Sequence, residues 1–291
     1  MLTSKTYKLL GTYVLIALLS WQFFRYVDYV LNVITPESFS FDFEAIAVVN
    51  FVVLVSVISL ALAIFTPLEV AAPRSSGLAT ELRARLLMGF RKKRWALVTS
   101  GIVGIIFLLF FEWTYINLVG VLIAMSLFEY ARFAGVEEID QWTKINSRTI
   151  VRRGATGVVL AFFVLVSFAA YQSPVATGIA ETEQLPSVTQ QLMRSVVDSV
   201  IGSQIPAGPE KEGVISQVTN ETFQQINGIL KPYLQYAPPL LAFGLFLILW
   251  GLSWIFVWLS VLVGMGIFWI LKKTEMIKIE ERDVKAEILI I

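Results

Sequence analysis

The sequence predicts an all-α integral membrane protein with six transmembrane helices, and three observations carry this prediction. Of the 291 residues, 56% are hydrophobic and only 15% are charged, whereas a soluble domain has about 25% charged residues. Residues 239–271 are 33 consecutive residues without a charge, and about 20 apolar residues suffice to cross a bilayer as a helix. Lys and Arg are concentrated in alternate connections between the apolar runs.

The N-terminal part of the chain contains two apolar runs, which predict spans at 9–24 and 45–66. Two lysines precede the first run, as in a signal peptide, but no small-residue cleavage site follows it. We therefore expect an uncleaved span. Residues 25–44 form a short acidic connection, and Pro67 ends the second span.

The next connection, residues 67–94, is strongly basic and carries Leu or Phe at every fourth position between Leu78 and Phe90. This pattern predicts a cytoplasmic interfacial helix, amphipathic and lying at the level of the headgroups. The alternative is a solvated loop whose charges only fix the topology. The candidate membrane-surface contacts are Arg83, Arg85, Arg91, Lys92, Lys93 and Arg94.

Residues 95–128 form an apolar stretch that is interrupted only by Glu112. One straight helix would bring this carboxylate near the bilayer centre, where an ionisable side chain costs about 3 kcal/mol. A tight hairpin of two short spans, at 95–111 and 114–128, places Glu112 in water instead, and we expect this arrangement. The alternative is a buried, proton-carrying Glu112.

Residues 129–153 mix both signs of charge and place Ile139, Trp142 and Ile145 at helical spacing. This pattern suits either a helix along the membrane surface or an extension of the neighbouring spans. The fifth span is predicted at 154–171, where the chain is again apolar.

Residues 172–238 are the only sizeable polar region, and they are predicted to form a small extracytoplasmic amphipathic helical hairpin. Two apolar stripes at helical spacing are separated by the breaker sequence IPAGPEKEG. A hairpin of this size cannot build a large core of its own. We therefore expect it to dock on a protein partner, a second copy of the chain or protruding helices. The candidate partner contacts are Val188, Leu192, Val196, Val200, Ile215, Val218, Ile226 and Ile229.

The uncharged run 239–271 is the sixth predicted span and is longer than a bilayer requires. As one helix it would reach about 50 Å, against roughly 30 Å of hydrocarbon core, so it either projects from the membrane or breaks near Gly251 or Gly264. We expect one continuous helix, because Pro238 and Pro239 lie in its first turn, where proline is tolerated. The candidate helix-packing residues are Trp250, Trp254, Trp258, Ser260 and Gly264.

The distribution of charge predicts the orientation. Of the 23 Lys and Arg residues, four lie in 25–44 and 172–238, and 19 lie in 1–8, 67–94, 129–153 and 272–291. The positive-inside rule then places both termini in the cytoplasm and residues 172–238 outside a plasma membrane. The tail at 272–291 alternates apolar and charged residues in several places, which predicts short β-strands.

The residue types exclude several kinds of chemistry. The chain has no Cys and no His, so it has no thiol nucleophile, no thiolate metal site and no histidine general base. It shows no glycine-rich phosphate loop and no metal-ligand cluster, so we assign no catalytic residue, cofactor or metal. The net charge of +1 gives no indication of nucleic-acid binding.

The function class that remains is a non-enzymatic one. We expect a scaffold, assembly factor or accessory subunit of a membrane complex, which acts through the extracytoplasmic helical hairpin. The alternative is a channel or carrier for an ion or small neutral solute, motivated by the number of spans and the hydroxyl and amide residues within them. A third possibility is lipid handling by the basic interfacial segment and the tryptophan stripe.

Overall fold

The computed structural model describes residues 4–33, 45–65, 97–141, 146–182, 187–201 and 209–274, and within these ranges the chain is helical without a strand. The helices are α1 (Ser4–Val33), α2 (Ala45–Leu60, which continues into a π-helical segment, Ala61–Phe65), α3 (Leu97–Phe111), α4 (Tyr115–Gln141), α5 (Ser147–Tyr171), α6 (Pro174–Thr182), α7 (Ser187–Ile201), α8 (Pro209–Leu234) and α9 (Ala237–Lys273).

Five of these helices are long and apolar enough to cross a membrane, as expected of an integral membrane protein. The candidate spans are Leu10–Asn32, Ala45–Ala63, Tyr115–Glu138, Ser147–Tyr171 and Ala237–Lys273. The apolar helix α3 is shorter than the roughly 20 residues that a span requires. The structure therefore has five helices of spanning length in its described part, against the six spans that the sequence predicts.

Several helices continue beyond the apolar runs that predict them. Helix α4 extends to Gln141 and α5 begins at Ser147, so most of 129–153 extends the neighbouring spans and only 142–145 lies outside the described residues. Helix α9 is continuous from Ala237 to Lys273. The amide of Leu240 donates to the Tyr236 carbonyl at 3.2 Å, which places both prolines among the first helical positions, whose N–H groups have no intrahelical partner.

Some predicted features lie outside the described residues. These are the interfacial helix at 67–94 with its six basic candidate residues, and the tail beyond residue 274 with its predicted strands.

The chain divides into two compact units. Unit 1 comprises Met1–Phe24, Glu44–Leu165 and Leu249–Ile291, and unit 2 comprises Arg25–Phe43 and Val166–Ile248. The core of unit 1 is aromatic and is centred on Phe162, which is fully buried. Its ring centroid lies 5.2 Å from that of Phe23, 5.6 Å from Phe51 and 5.9 Å from Phe128, each edge to face, an arrangement that aromatic quadrupoles favour.

Small residues allow the helices of unit 1 to pack closely. A Cβ built at Gly135 would lie 2.8 Å from Ala63 Cβ, one built at Gly157 would lie 2.7 Å from Ala131 Cβ, and one at Gly154 would lie 3.3 Å from Ser59 Cβ. A Cβ would clash at Gly135 and Gly157 and would be tight at Gly154, so α4 and α5 approach each other, and each approaches the end of α2, nearly backbone to backbone. Such contacts are the usual basis of helix association in membranes, where the hydrophobic effect between helices is weak.

Candidate functional site

The polar helices α7 and α8 of unit 2 pack side by side, and they contain the predicted partner contacts. The Gln190 side-chain amide on α7 donates to Asn220 Oδ1 on α8 at 2.7 Å. Because the connection between the two helices is short, residues 202–208, the helices run antiparallel. Residues that follow Gln190 and residues that precede Asn220 therefore lie towards the same end, which we call the connection end.

Helix α7 leaves most of its described apolar stripe exposed. Val196 and Val200 are each 60% exposed, whereas Met193 and Val197, on the adjacent face, are half-buried. Val188 and Leu192 also lie on α7, and the structure describes only their backbone. Val196 and Val200 therefore lie on an outer face of this helix.

The stripe of α8 is partly buried. Ile215 is only 5% exposed and Val218 and Ile226 are half-buried, but Ile229 is 69% exposed. The hydroxyl of Thr219 is also buried, and it donates to the Ile215 carbonyl at 2.7 Å.

The exposed apolar residues lie in two places along this pair of helices. Val196 lies six residues after Gln190 and Val214 lies six residues before Asn220, so both lie towards the connection end. Val214 is 42% exposed. Val196 and Val200 lie one turn apart on α7 and form an exposed apolar surface, which we call the connection-end patch. Ile229 and Tyr233 lie at the other end of α8, shortly before α9 begins.

No protein-family model, curated protein or solved structure matches this chain.

Unit 1 contains two ion pairs that sequence reasoning missed, and one member of each pair is buried. Arg132 on α4 is 4% exposed and its Nε lies 3.0 Å from Glu129 Oε2 one turn earlier. Glu138 on the same helix is also 4% exposed, and its Oε2 lies 3.1 Å from the Nε of Arg153 on α5. Three of these four charged residues fall within the candidate span Tyr115–Glu138.

The pair of Glu138 with Arg153 joins α4 and α5 in the region that the sequence assigns to a connection, whereas Glu129 and Arg132 are paired within α4. A charged side chain removed from water requires a partner of opposite charge, and the extension of α4 beyond residue 128 supplies two such partners. The signal in the sequence is the i,i+3 spacing of Glu129 and Arg132, which becomes informative only once the helix is known to continue.

The predicted helix-packing residues of α9 separate into two groups. Ser260 is fully buried and its carbonyl oxygen accepts a hydrogen bond from the Ser56 hydroxyl at 2.9 Å, and a Cβ built at Gly264 would lie 2.6 Å from Val151 Cγ1. In contrast, Trp250, Trp254 and Trp258 are 56%, 69% and 57% exposed. The tryptophan stripe therefore forms an outer face of α9.

The turn between α3 and α4 contains Glu112, which interrupts the apolar stretch 95–128. Glu112 is exposed and has a φ of 65°, a left-handed conformation typical of the residue that ends a helix. Asn117 donates its side-chain amide to the carbonyls of Phe111 and Glu112, the latter at 3.1 Å. Its own backbone amide donates to Thr114 Oγ1 at 3.3 Å, so that Thr114 caps α4.

Within the described ranges, no three His, Cys, Asp or Glu residues are grouped so that they could hold a metal ion. The charged side chains of unit 1 described above are paired with each other across short distances. The arrangement of these groups therefore serves helix packing, and the connection-end patch is the candidate site for a partner.

Proposed function

We propose that this protein is a non-enzymatic, multi-pass membrane protein that acts as a scaffold, assembly factor or accessory subunit of a membrane complex. It would bind a protein partner through the pair α7 and α8. The observation that carries the proposal is the connection-end patch, where Val196 and Val200 are 60% exposed within an otherwise polar segment.

Burial energies support an interface at this patch. Burying a Val or Ile side chain contributes about 1.5–3 kcal/mol, whereas association costs about 4–15 kcal/mol in lost freedom and ordering. Two valines are therefore enough to anchor a partner only when further contacts accompany them. The polar rim of the patch offers such contacts, since Arg194 and Asp198 are exposed beside the two valines of α7.

The proposed topology has six spans, with α3 as the additional short one. Both termini would lie in the cytoplasm and residues 172–238 outside the plasma membrane, since 19 of the 23 basic residues would then be cytoplasmic. Exposure of Glu112 in a turn is consistent with a hairpin of α3 and α4 that returns to the same side.

The test compares two double substitutions on the same helix. Val196→Lys with Val200→Lys places charge in the patch, and Ser195→Lys with Ser199→Lys places the same charge at the same spacing on exposed positions beside it. Purification from native membranes in mild detergent should yield a defined partner or oligomer with the unaltered chain and the serine variant. The valine variant should lose it while keeping the same unfolding temperature.

Two results would count against this function. One is a monodisperse monomer from the unaltered chain. The other is an equal loss of the partner in both variants, because the effect would then follow from added charge and not from the apolar surface.

The alternative, a channel or carrier for an ion or small neutral solute, rests on two buried hydroxyl groups. Ser20 on α1 and Ser260 on α9 are both 0% exposed, and their Oγ atoms make no hydrogen bond within the described part of the chain. Hydroxyl groups of this kind can coordinate a solute. In contrast, Ser59 donates to the Val55 carbonyl of its own helix at 2.7 Å.

Flux measurements distinguish the alternative from the scaffold. Liposomes containing the purified protein would pass a solute, and Ser20→Ala with Ser260→Ala would reduce the flux. Liposomes that show no flux for a broad panel of ions and neutral solutes would exclude this function.

A further inference from the structure

Helices α5 and α9 place four basic residues at the same end of unit 1. Gly264 of α9 lies against Val151 of α5, and Phe268 and Leu271 pack on the buried cluster that contains Val151 and its neighbour Ile150. Helix α5 begins at this contact and α9 ends there. Arg148 and Arg152 therefore lie beside the last turn of α9, which carries Lys272 and Lys273.

These basic side chains differ from the paired arginines nearby. Arg132 and Arg153 each lie within about 3 Å of a carboxylate, at 3.0 Å and 3.1 Å. Arg148, Arg152 and Lys272 are exposed and form no ion pair with any described residue. Arg148 and Arg152 are four residues apart and so share one face of α5.

An exposed apolar surface borders the basic residues. Lys273 lies over the ring of Trp269, with its Nζ 5.2 Å from the ring centroid. Trp269 is 61% exposed and the neighbouring Ile270 is 52% exposed. Tryptophan with lysine at the end of a spanning helix is typical of the level of the lipid headgroups.

We propose that Arg148, Arg152, Lys272 and Lys273 form a binding site for the phosphate headgroup of an anionic phospholipid, with Trp269 and Ile270 against its upper acyl chain. Basic residues between membrane helices bind such headgroups, and arginine binds phosphate through two parallel N–H donors. A soluble phosphate would satisfy the charges alone, whereas a lipid also covers the exposed apolar side chains beside them. The proposal does not depend on the function of α7 and α8.

The first experiment measures lipid retention with matched charge changes. The purified protein is reconstituted in nanodiscs of phosphatidylcholine with phosphatidylglycerol, and the co-purifying lipid is quantified by native mass spectrometry. Arg148→Gln, Arg152→Gln and Lys272→Gln together should weaken phosphatidylglycerol binding at least tenfold. The control removes three exposed basic residues elsewhere, with Arg25→Gln, Arg194→Gln and Lys231→Gln, and should leave binding within about twofold.

The outcomes of this experiment are separable. Unchanged binding in the first variant, or an equal loss in both variants, overturns the proposal. Displacement of the lipid by inorganic phosphate, beyond the effect of chloride at equal ionic strength, assigns the site to a soluble anion and also overturns it. The double substitution Arg148→Lys with Arg152→Lys keeps the positive charge at both positions and should preserve most of the binding.

A second experiment needs no change in charge and so does not depend on the folding of the first variant. A photoactivatable benzoylphenylalanine is introduced at Ile270, or at Leu241 near the opposite end of α9, where it is also exposed. The lipid cross-linked at position 270 should be enriched in phosphatidylglycerol relative to position 241. Equal proportions of the two lipids at both positions contradict the proposed site.

Discussion

At the residue scale, the packing of unit 1 depends on positions where no side chain fits. Gly157 is the clearest case, because a Cβ built there would lie 2.7 Å from Ala131 Cβ and 3.1 Å from the Leu127 carbonyl oxygen. The carbonyl belongs to a helix backbone and cannot rotate away. A single methyl group at this position must therefore move one helix relative to the other.

We predict that Gly157→Ala destabilises the protein by about 1–3 kcal/mol, the usual range for overpacking of a core. The measurement is the midpoint of thermal unfolding in detergent. Gly101→Ala on α3 is the control, since nothing lies within 4 Å of a Cβ built there, and alanine improves helix propensity. Equal midpoints for the two variants would show that α4 and α5 do not approach so closely.

A second prediction concerns the ion pair of Glu138 with Arg153. Glu138 is 4% exposed while the side chain of Arg153 is 45% exposed, so removing the arginine leaves a buried carboxylate without its cation. Arg153→Leu should destabilise the protein by about 1–3 kcal/mol, below the range for a fully buried pair because Arg153 is partly solvated. Adding Glu138→Gln should restore part of the loss, since the buried group is then neutral.

Arg152→Leu is the control for this pair, because Arg152 is exposed and forms no ion pair with any described residue. Its unfolding midpoint in lipid-free detergent should stay close to that of the unaltered chain. A double variant less stable than Arg153→Leu would contradict the assignment, since neutralising an unpaired buried charge would then have no benefit.

At the scale of elements, the turn between α3 and α4 is specified by three side chains. Thr114 begins α4, Asn117 ends α3 through its side-chain amide, and Glu112 adopts the left-handed conformation between them. Each role follows from the backbone groups that a helix terminus leaves without an intrahelical partner. Here the side chains of Asn117 and Thr114 bond several of these groups.

Two substitutions in this turn should differ in their effect on the stability of the protein. Asn117→Leu removes the hydrogen bonds to Phe111 and Glu112, and should destabilise by about 1–3 kcal/mol. Glu112→Gly relieves a left-handed conformation that costs a non-glycine residue about 1 kcal/mol, and should be neutral or stabilising. Thermal unfolding of both variants checks the prediction. Strong destabilisation by Glu112→Gly would instead indicate that the carboxylate itself makes an essential contact.

The apolar runs predict where helices exist but not where they end. Residues 129–141 continue α4 although they carry charges of both signs, because hydrogen bonding along the backbone continues through charged residues as well as apolar ones. Hydropathy therefore missed the burial of Glu138, which depends on Arg153 of α5 and on the close contact at Gly135. Long-range pairs of this kind have no local signature in the chain.

The spacing of apolar residues in the polar region predicts that helices form there, but not which apolar faces stay exposed. Val196 and Val200 share one face of α7 by their spacing alone, yet spacing does not say whether a second helix covers that face. The hydrogen bond from Gln190 to Asn220 shows which face of α7 meets α8. Met193 and Val197 lie on this side of α7 and are half-buried. The geometry of the helix pair decides which face of α7 is covered, and the residue spacing within one helix does not show this geometry.

At the scale of the whole molecule, the proposed topology predicts which positions face the outside, and single introduced cysteines can test this. Since the chain has no Cys, a single introduced cysteine is its only thiol. Glu112→Cys and Glu221→Cys should react with a membrane-impermeant maleimide added outside intact cells, because both positions are exposed and would lie on the outer side. Asn146→Cys and Thr274→Cys are equally exposed but should react only after the membrane is permeabilised.

The labelling pattern separates six spans from five. If α3 did not cross the bilayer, Glu112 would remain on the cytoplasmic side together with position 221, because α4 and α5 separate these two positions. Asn32→Cys, exposed at the end of α1, would still label from outside. Ser260→Cys, at a position that is 0% exposed, is the control and should stay unreactive under both conditions. Labelling of positions 112 and 221 only after permeabilisation, with position 32 still labelled from outside, would leave five spans and place the two termini on opposite sides of the membrane.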